Sequence, residues 1–339
     1  MQYTALIETT RGQTAECLHL GSIAVVDTTG KVLAHAGDPH LLTFTRSTLK
    51  ALQALPLMQS GAAQAMGFDS RDLAMVCASH NGEEMHVRQV QSMLDKVGLS
   101  PKRLACGCHV PLQFVYTSAL APEGLTYDER HNNCSGKHVG FLAACVHQGL
   151  STEDYIEPSH PLQEQIRQAV AKACRMQADD MPMGLDGCSA PNYAMPLSKL
   201  ATGYARLASG IQDSEWGTAF EPLASAMIQH PELVSGTQRN DLDFMTVGQG
   251  DWVTKVGADG VQVVASRSRG QALAIKVIDG NKPALFAATV AAMDQLGWLT
   301  SQQKEALATW AAEDIVNARG LVVGHRRAVF SLNGKLSQA

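Results

Sequence analysis

Strand-type sequence fills both ends of this chain, and helical sequence fills the middle. TALIETT, HLGSIAVVDT and KVLAHAG occupy the start, rich in β-formers and separated by turn signals such as TTGK. WVTKVGADG, GVQVVASRS and GQALAIKVIDG form a meander near the other end. Two distant sets of strands predict an α+β fold: an antiparallel sheet of N- and C-terminal strands, flanked by helices and closed by distant parts of the chain. The middle then forms an inserted helical lobe. We expect one catalytic unit, with an α/β lobe at about 1–62 and 235–339 and a helical lobe at about 63–234. A ligand cleft belongs between them.

Helical stripes mark the middle. TFTRSTLKALQALPLMQSGAAQAMG places Leu49, Leu52, Leu55 and Met58 on one face, with Pro56 set to kink or end the helix. DSRDLAMVCASHNGEEMHVRQVQSMLDKVG reads as two helices around the polar loop SHNGEE. HPLQEQIRQAVAKACRM starts with Pro161 where a first turn tolerates it. YAMPLSKLATGYARLAS, WGTAFEPLASAMIQ, KPALFAATVAAMDQLG and EALATWAA read as further helices, and GLVVGHRRAVFSL as a last strand or extension. Residues 100–136 are irregular, and long irregular loops in compact domains are usually functional.

Composition narrows the classes. Of 339 residues, 45% are apolar and 17% charged, so a core is available, and the net charge of −5 argues against nucleic-acid binding. No run nears the ~18 apolar residues of a membrane span, and MQYTALIETTRG has no secretory pattern. The expected location is cytoplasmic. Eight cysteines in such a chain read as thiols rather than a disulfide framework.

HExxH, GxSxG and Walker A motifs are absent. Three other motifs occur in order. Ser47-Thr48-Leu49-Lys50 is an SxxK, whose ends share one helix face. Ser47 at the helix start meets a partial positive charge, and a desolvated Lys50 serves as its base. Ser79-His80-Asn81 is an SxN in a loop, and Lys255-Val256-Gly257 is a KxG on a late strand. A glycine there lets a substrate approach the strand edge. Each motif is weak alone. Their order and placement match the serine β-lactamase and penicillin-binding fold.

HNNCSGKHVG concentrates further chemistry at 131–140. Cys134 reads as a zinc ligand with the distant Cys188, as a nucleophile beside a histidine, or as a buried thiol. His131 and His138 are available ligands, and the Cys106–Cys108 pair competes for the metal role.

RSTLK, CASHNGEEMH, HNNCSGKHVGFLAAC, GLDGCSAPNYAMPL, HPELVSG and TKVGADGV together resemble the L-asparaginase II family, the rhizobial-type or class 3 asparaginases. The resemblance implies an amidohydrolase converting L-asparagine and water to L-aspartate and ammonia, on a β-lactamase- and glutaminase-like fold, as a homodimer. It implies two serine–lysine pairs, Ser47 with Lys50 and Ser79 with Lys255, and zinc held by Cys134, Lys137 and Cys188 beside Asp186. Substrate contacts are expected from Arg46, Asn81, His131, Asn132 and Asn133. A glutaminase or penicillin-recognising hydrolase on the same fold is the alternative. A non-catalytic zinc or amino-acid binding protein is the alternative of another class.

Overall fold

The computed structural model describes residues 3–311 and 314–334. The two strand-rich ends meet in a nine-stranded sheet. Its main path runs Asp314–Val316, Val322–Ala328, Thr4–Arg11, Thr14–Asp27, Gln271–Val277, Val261–Ser266 and Trp252–Gly257, every pairing antiparallel. Val32–Ala36 pairs with the second half of Thr14–Asp27, and Asn333–Gly334 pairs with it in turn. Of the two readings of the tail GLVVGHRRAVFSL, the structure gives the strand, Val322–Ala328.

Period-two alternation assigns the faces. Ala24, Val26, Val263, Ala265, Ala272 and Ala274 point into a core shared with Leu52, Leu200 and Leu207 of the helical part. Ile23, Val25, Val264, Leu273 and Ile275 point the other way, onto Leu285, Ala288 and Met293 of the helix Lys282–Gln295. Each fully buried valine, leucine or isoleucine contributes roughly 1.5–3 kcal/mol. The core on the first face is continuous from sheet to helical part.

Several expectations change. Pro56 interrupts the SxxK region as anticipated: the chain forms a 3₁₀ turn Arg46–Leu49, then short helices Lys50–Gln53 and Leu55–Gln59. YAMPLSKLATGYARLAS is not one helix. Pro191–Pro196 is the central strand of a three-stranded sheet, and the helix is Leu197–Ala208. Neighbouring strands Leu42–Phe44 and Met183–Leu185 satisfy its backbone on both sides, which overrides helical propensity. EALATWAA divides into a helix Ser301–Ala306 and a 3₁₀ turn Ala308–Trp310, and its last residue, Ala312, lies outside the described residues.

The small sheet positions the chemistry. One strand leads into the Ser47 turn and another into the Asp186–Cys188 turn, and both pair with Pro191–Pro196. Arg46 has φ +50, a left-handed conformation that a long side chain rarely adopts. Asn192 holds it there. Its Oδ1 accepts from Arg46 N at 3.0 Å, and its Nδ2 donates to Arg46 O at 3.1 Å. The helix Ser135–Gln148 is brought in by glycine: a Cβ on Gly136 would lie 2.2 Å from Met75 O, so only glycine lets the two segments touch.

Asn192→Ala removes the acceptor of Arg46 N and a side-chain donor to Arg46 O. We expect a loss of about 2–3 kcal/mol in urea unfolding, whereas a loss under 0.5 kcal/mol would mean the turn needs no clamp.

Candidate active site

A cleft of about 430 Å³ opens between sheet and helical part. Ser47, Gly257 and Asp259 line it from one side, and Ser79, Asn133, Cys134 and Cys188 from the other. A larger surface groove of about 740 Å³, near Gln165 and Trp216, contains neither serine and none of the thiols.

Ser47 is half-buried at the start of the 3₁₀ turn, where backbone N–H groups have no intrahelical acceptor. Its hydroxyl has no hydrogen-bond partner among the described residues. Lys50 turns away from it. The buried Lys50 Nζ donates to Ala78 O at 2.6 Å, Ser79 Oγ at 2.8 Å and Asn133 O at 3.1 Å. These three acceptors match the three N–H groups of an ammonium. The expected pairing therefore differs in the structure: Lys50 bonds Ser79, and no hydrogen bond joins Ser47 to Lys50 or Ser79 to Lys255 among the described residues. An i, i+3 spacing sets a shared helix face but leaves open what stands opposite.

Lys255 is fully buried on Trp252–Gly257. Its Nζ donates to Val256 O at 3.0 Å and lies 3.6 Å from Asp241 Oδ2. Burial pulls its pKa down to about 7, helped by the charges of Lys50 and Arg239 and opposed by Asp241. Near neutrality it is thus an available base. Gly257 lines the cleft and also has a packing role. A Cβ there would meet Thr45 O at 3.0 Å and Arg46 Cβ at 3.3 Å, so the glycine admits the Ser47 turn itself.

Cys134 caps the helix Ser135–Gln148, and Lys137 lies one turn in. Lys137 Nζ is 3.1 Å from Cys188 Sγ. A hydrogen bond from Cys134 holds Cys188 far below the ordinary thiol range, against burial and with help from Lys137 and His138. The same bond, with burial, pushes Cys134 up. Burial lowers Lys137, but the two sulfurs outweigh it and raise its pKa. The trio is a thiol, a thiolate and an ammonium in balance. His138 Nε2 is buried beside Cys188 with no conventional partner, and its Nδ1 meets Tyr155 Oη at 2.7 Å. All eight cysteines are free, with Cys17 and Cys108 exposed.

The remaining expected contacts divide. Arg46 lines the cleft and pairs with Asp186 at 2.9 Å and with Asp259. Asn133 lines it beside His109, whose Nε2 is 3.2 Å from Asn133 Oδ1. His131, Asn132 and Asn81 do not line it. His131 accepts from Asp128 N and closes the turn Glu129–His131. Asn132 donates to Cys106 O and Gly107 O and accepts from Cys134 N. Asn81 is buried and accepts from Arg239 Nη1 at 2.8 Å. These three hold loops. Arg239, Asp241, His109 and Tyr116 were not anticipated. The only cue for the first two was an arginine and an aspartate just past HPELVSG.

Among the described residues, no three or more His, Cys, Asp or Glu gather as a metal site. Beside Cys188 the structure places two nitrogens, Lys137 Nζ at 3.1 Å and His138 Nε2.

Among solved structures, a β-lactamase of Mycobacterium bovis is similar at 13% identity and TM-score 0.36, covering 81% of this chain and 94% of that one. A class C β-lactamase in complex with cefoxitin is similar at 14% identity and TM-score 0.37, covering 80% and 91%. Likeness at this level transfers no residue's role. No curated protein matches significantly. The sequence model of the L-asparaginase II family matches residues 7–328, nearly the whole chain, and the protein belongs to that family of amidohydrolases.

Proposed function

We propose that the protein hydrolyses L-asparagine to L-aspartate and ammonia through a covalent intermediate on Ser47. The observation that carries this is an unencumbered serine hydroxyl in a cleft, next to a Lys50–Ser79 pair and a buried lysine with a pKa near 7. Ser47 Oγ attacks the side-chain amide carbon. Its proton enters the cluster of Ser79, Lys50 and Lys255, with Lys255 as the base because burial lowers its pKa to about 7. The cluster returns a proton to the departing ammonia, and water then releases aspartate. The N–H of Ser47 stabilises the oxyanion, since those of Arg46 and Thr48 are already bonded to Asn192 Oδ1 and Thr45 O. The family resemblance adds a homodimer to this proposal.

Zinc is part of the same proposal. A buried thiol, a thiolate and an amine suit a borderline-soft ion. Cys134, Cys188 and Lys137 would hold it after Lys137 loses its proton. Bound zinc supplies positive charge beside the cleft and orients polar substrate groups. Without it, the Lys137–Cys188 pair balances the charge.

Ammonia release from L-asparagine tests the reaction. Ser47→Ala should lower kcat by at least about 1,000-fold, and Ser79→Ala by about 100-fold or more. In the wild type the rate should rise as pH climbs through about 7. Asp241→Asn removes the charge that favours protonated Lys255, so its limb should move to lower pH. Full activity in Ser47→Ala would refute the mechanism. Turnover of glutamine or a β-lactam alone would move the substrate to those classes, and zinc binding without turnover would favour the binder.

Metal analysis tests the zinc site separately. Wild type should carry one zinc per chain, and Cys134→Ser and Lys137→Ala much less. Stoichiometric zinc in Lys137→Ala would exclude the lysine as a ligand.

A further inference from the structure

The charges on the cleft's two sides are answered unequally. On one side Arg46 is neutralised by Asp186 and Asp259. On the other, Arg239 is 4% exposed, and no carboxylate among the described residues lies within ion-pair distance of it. Its Nη1 donates to Ser79 O at 3.3 Å and Asn81 Oδ1 at 2.8 Å. A guanidinium has five N–H groups. Those on Nε and Nη2 have no acceptor among the described residues, and the side chain lines the cleft.

Its position is braced. The guanidinium stacks on the Tyr116 ring at 4.0 Å. Lys282 Nζ, from the first residue of its helix, lies 4.7 Å from the same ring and donates to Tyr116 Oη at 2.9 Å. Lys282 also lines the cleft and has no carboxylate partner among the described residues. Burying an unpaired cation is unfavourable unless something completes it. A planar fork with spare donors matches a carboxylate in bidentate geometry.

We propose that Arg239 and Lys282, braced by Tyr116, receive the α-carboxylate of a free amino-acid substrate. Asp186, whose Oδ2 has no hydrogen-bond partner among the described residues, faces the substrate's ammonium from the opposite wall. The cleft is therefore bipolar, and both serines line it. Amides lacking that carboxylate leave the guanidinium unpaired and are rejected. The assignment rests on the amidohydrolase reading for the identity of the reacting group.

The test compares L-asparagine, succinamic acid, which keeps the carboxylate without the ammonium, and 3-aminopropanamide, which lacks the carboxylate. Wild type, Arg239→Lys and Lys282→Gln are assayed on all three. Arg239→Lys should raise KM for the two carboxylate-bearing amides about 10- to 100-fold more than for 3-aminopropanamide. Lys282→Gln, on the exposed side of the cleft, should do the same by up to about 5-fold. Equal losses on all three amides, or a wild type with no preference for a carboxylate, would overturn the proposal. Should Arg239→Lys fail to fold, Lys282→Gln decides by the same comparison. If the wild type hydrolyses none of them, the functional reading fails, and calorimetry judges the subsite alone. Binding of L-asparagine but not 3-aminopropanamide, weakened in the variants, would sustain it, and equal or absent binding of both would refute it.

Discussion

The amine of Lys50 ties together three segments that are distant in sequence. It extends from the helix that follows Ser47 and reaches Ala78 O, Ser79 Oγ and Asn133 O, at 2.6, 2.8 and 3.1 Å. Removing it would leave two carbonyls and a hydroxyl unpaired, each at about 1–3 kcal/mol. The SxxK lysine is thus first a structural node, joining the sheet-side turn to both helical segments that form the cleft. Gly136 and Gly257 serve the same convergence, each occupying a place that a Cβ would obstruct.

Packing four cations into one region has electrostatic consequences. Lys50, Lys137 and Lys255 are all buried, and Arg239 nearly so. Asp241 answers Lys255 incompletely, and burial brings that amine to about 7. Cys188 answers Lys137 and is held as a thiolate. Among the described residues no carboxylate answers Arg239, and it lines the cleft. One lysine is an available base, one is a counter-ion, one is a hydrogen-bonding post and one arginine is open to an anion. This division follows from which anion each cation meets, not from residue type.

The sequence revealed much of this, though unevenly. Strand alternation at both ends was enough to anticipate a sheet closed by distant segments, and the breaks at Pro56 and Pro161 fell where proline dictates. The strand Pro191–Pro196 was missed because its stability comes from two neighbouring strands, not from its own residues. Ser47, Ser79, Cys134 and Cys188 were identified and do meet in one cleft. The partner of Lys50 was not legible, since motif spacing fixes a helix face and the tertiary fold decides what it meets. His131 and Asn132 are rich in donors and acceptors, but local turns and neighbouring carbonyls consume them. Arg239 lies in no motif, and only its lack of a counter-ion among the described residues marks it.

Everything proposed for the chemistry turns on Ser47 as the nucleophile. Mass spectrometry of the protein quenched during turnover of L-asparagine, followed by peptide mapping, examines that atom. The mechanism predicts one aspartyl group esterified to the peptide containing Ser47, absent from Ser47→Ala. An aspartyl adduct on Ser79 or Cys134 instead, or rapid turnover by Ser47→Ala, would contradict it.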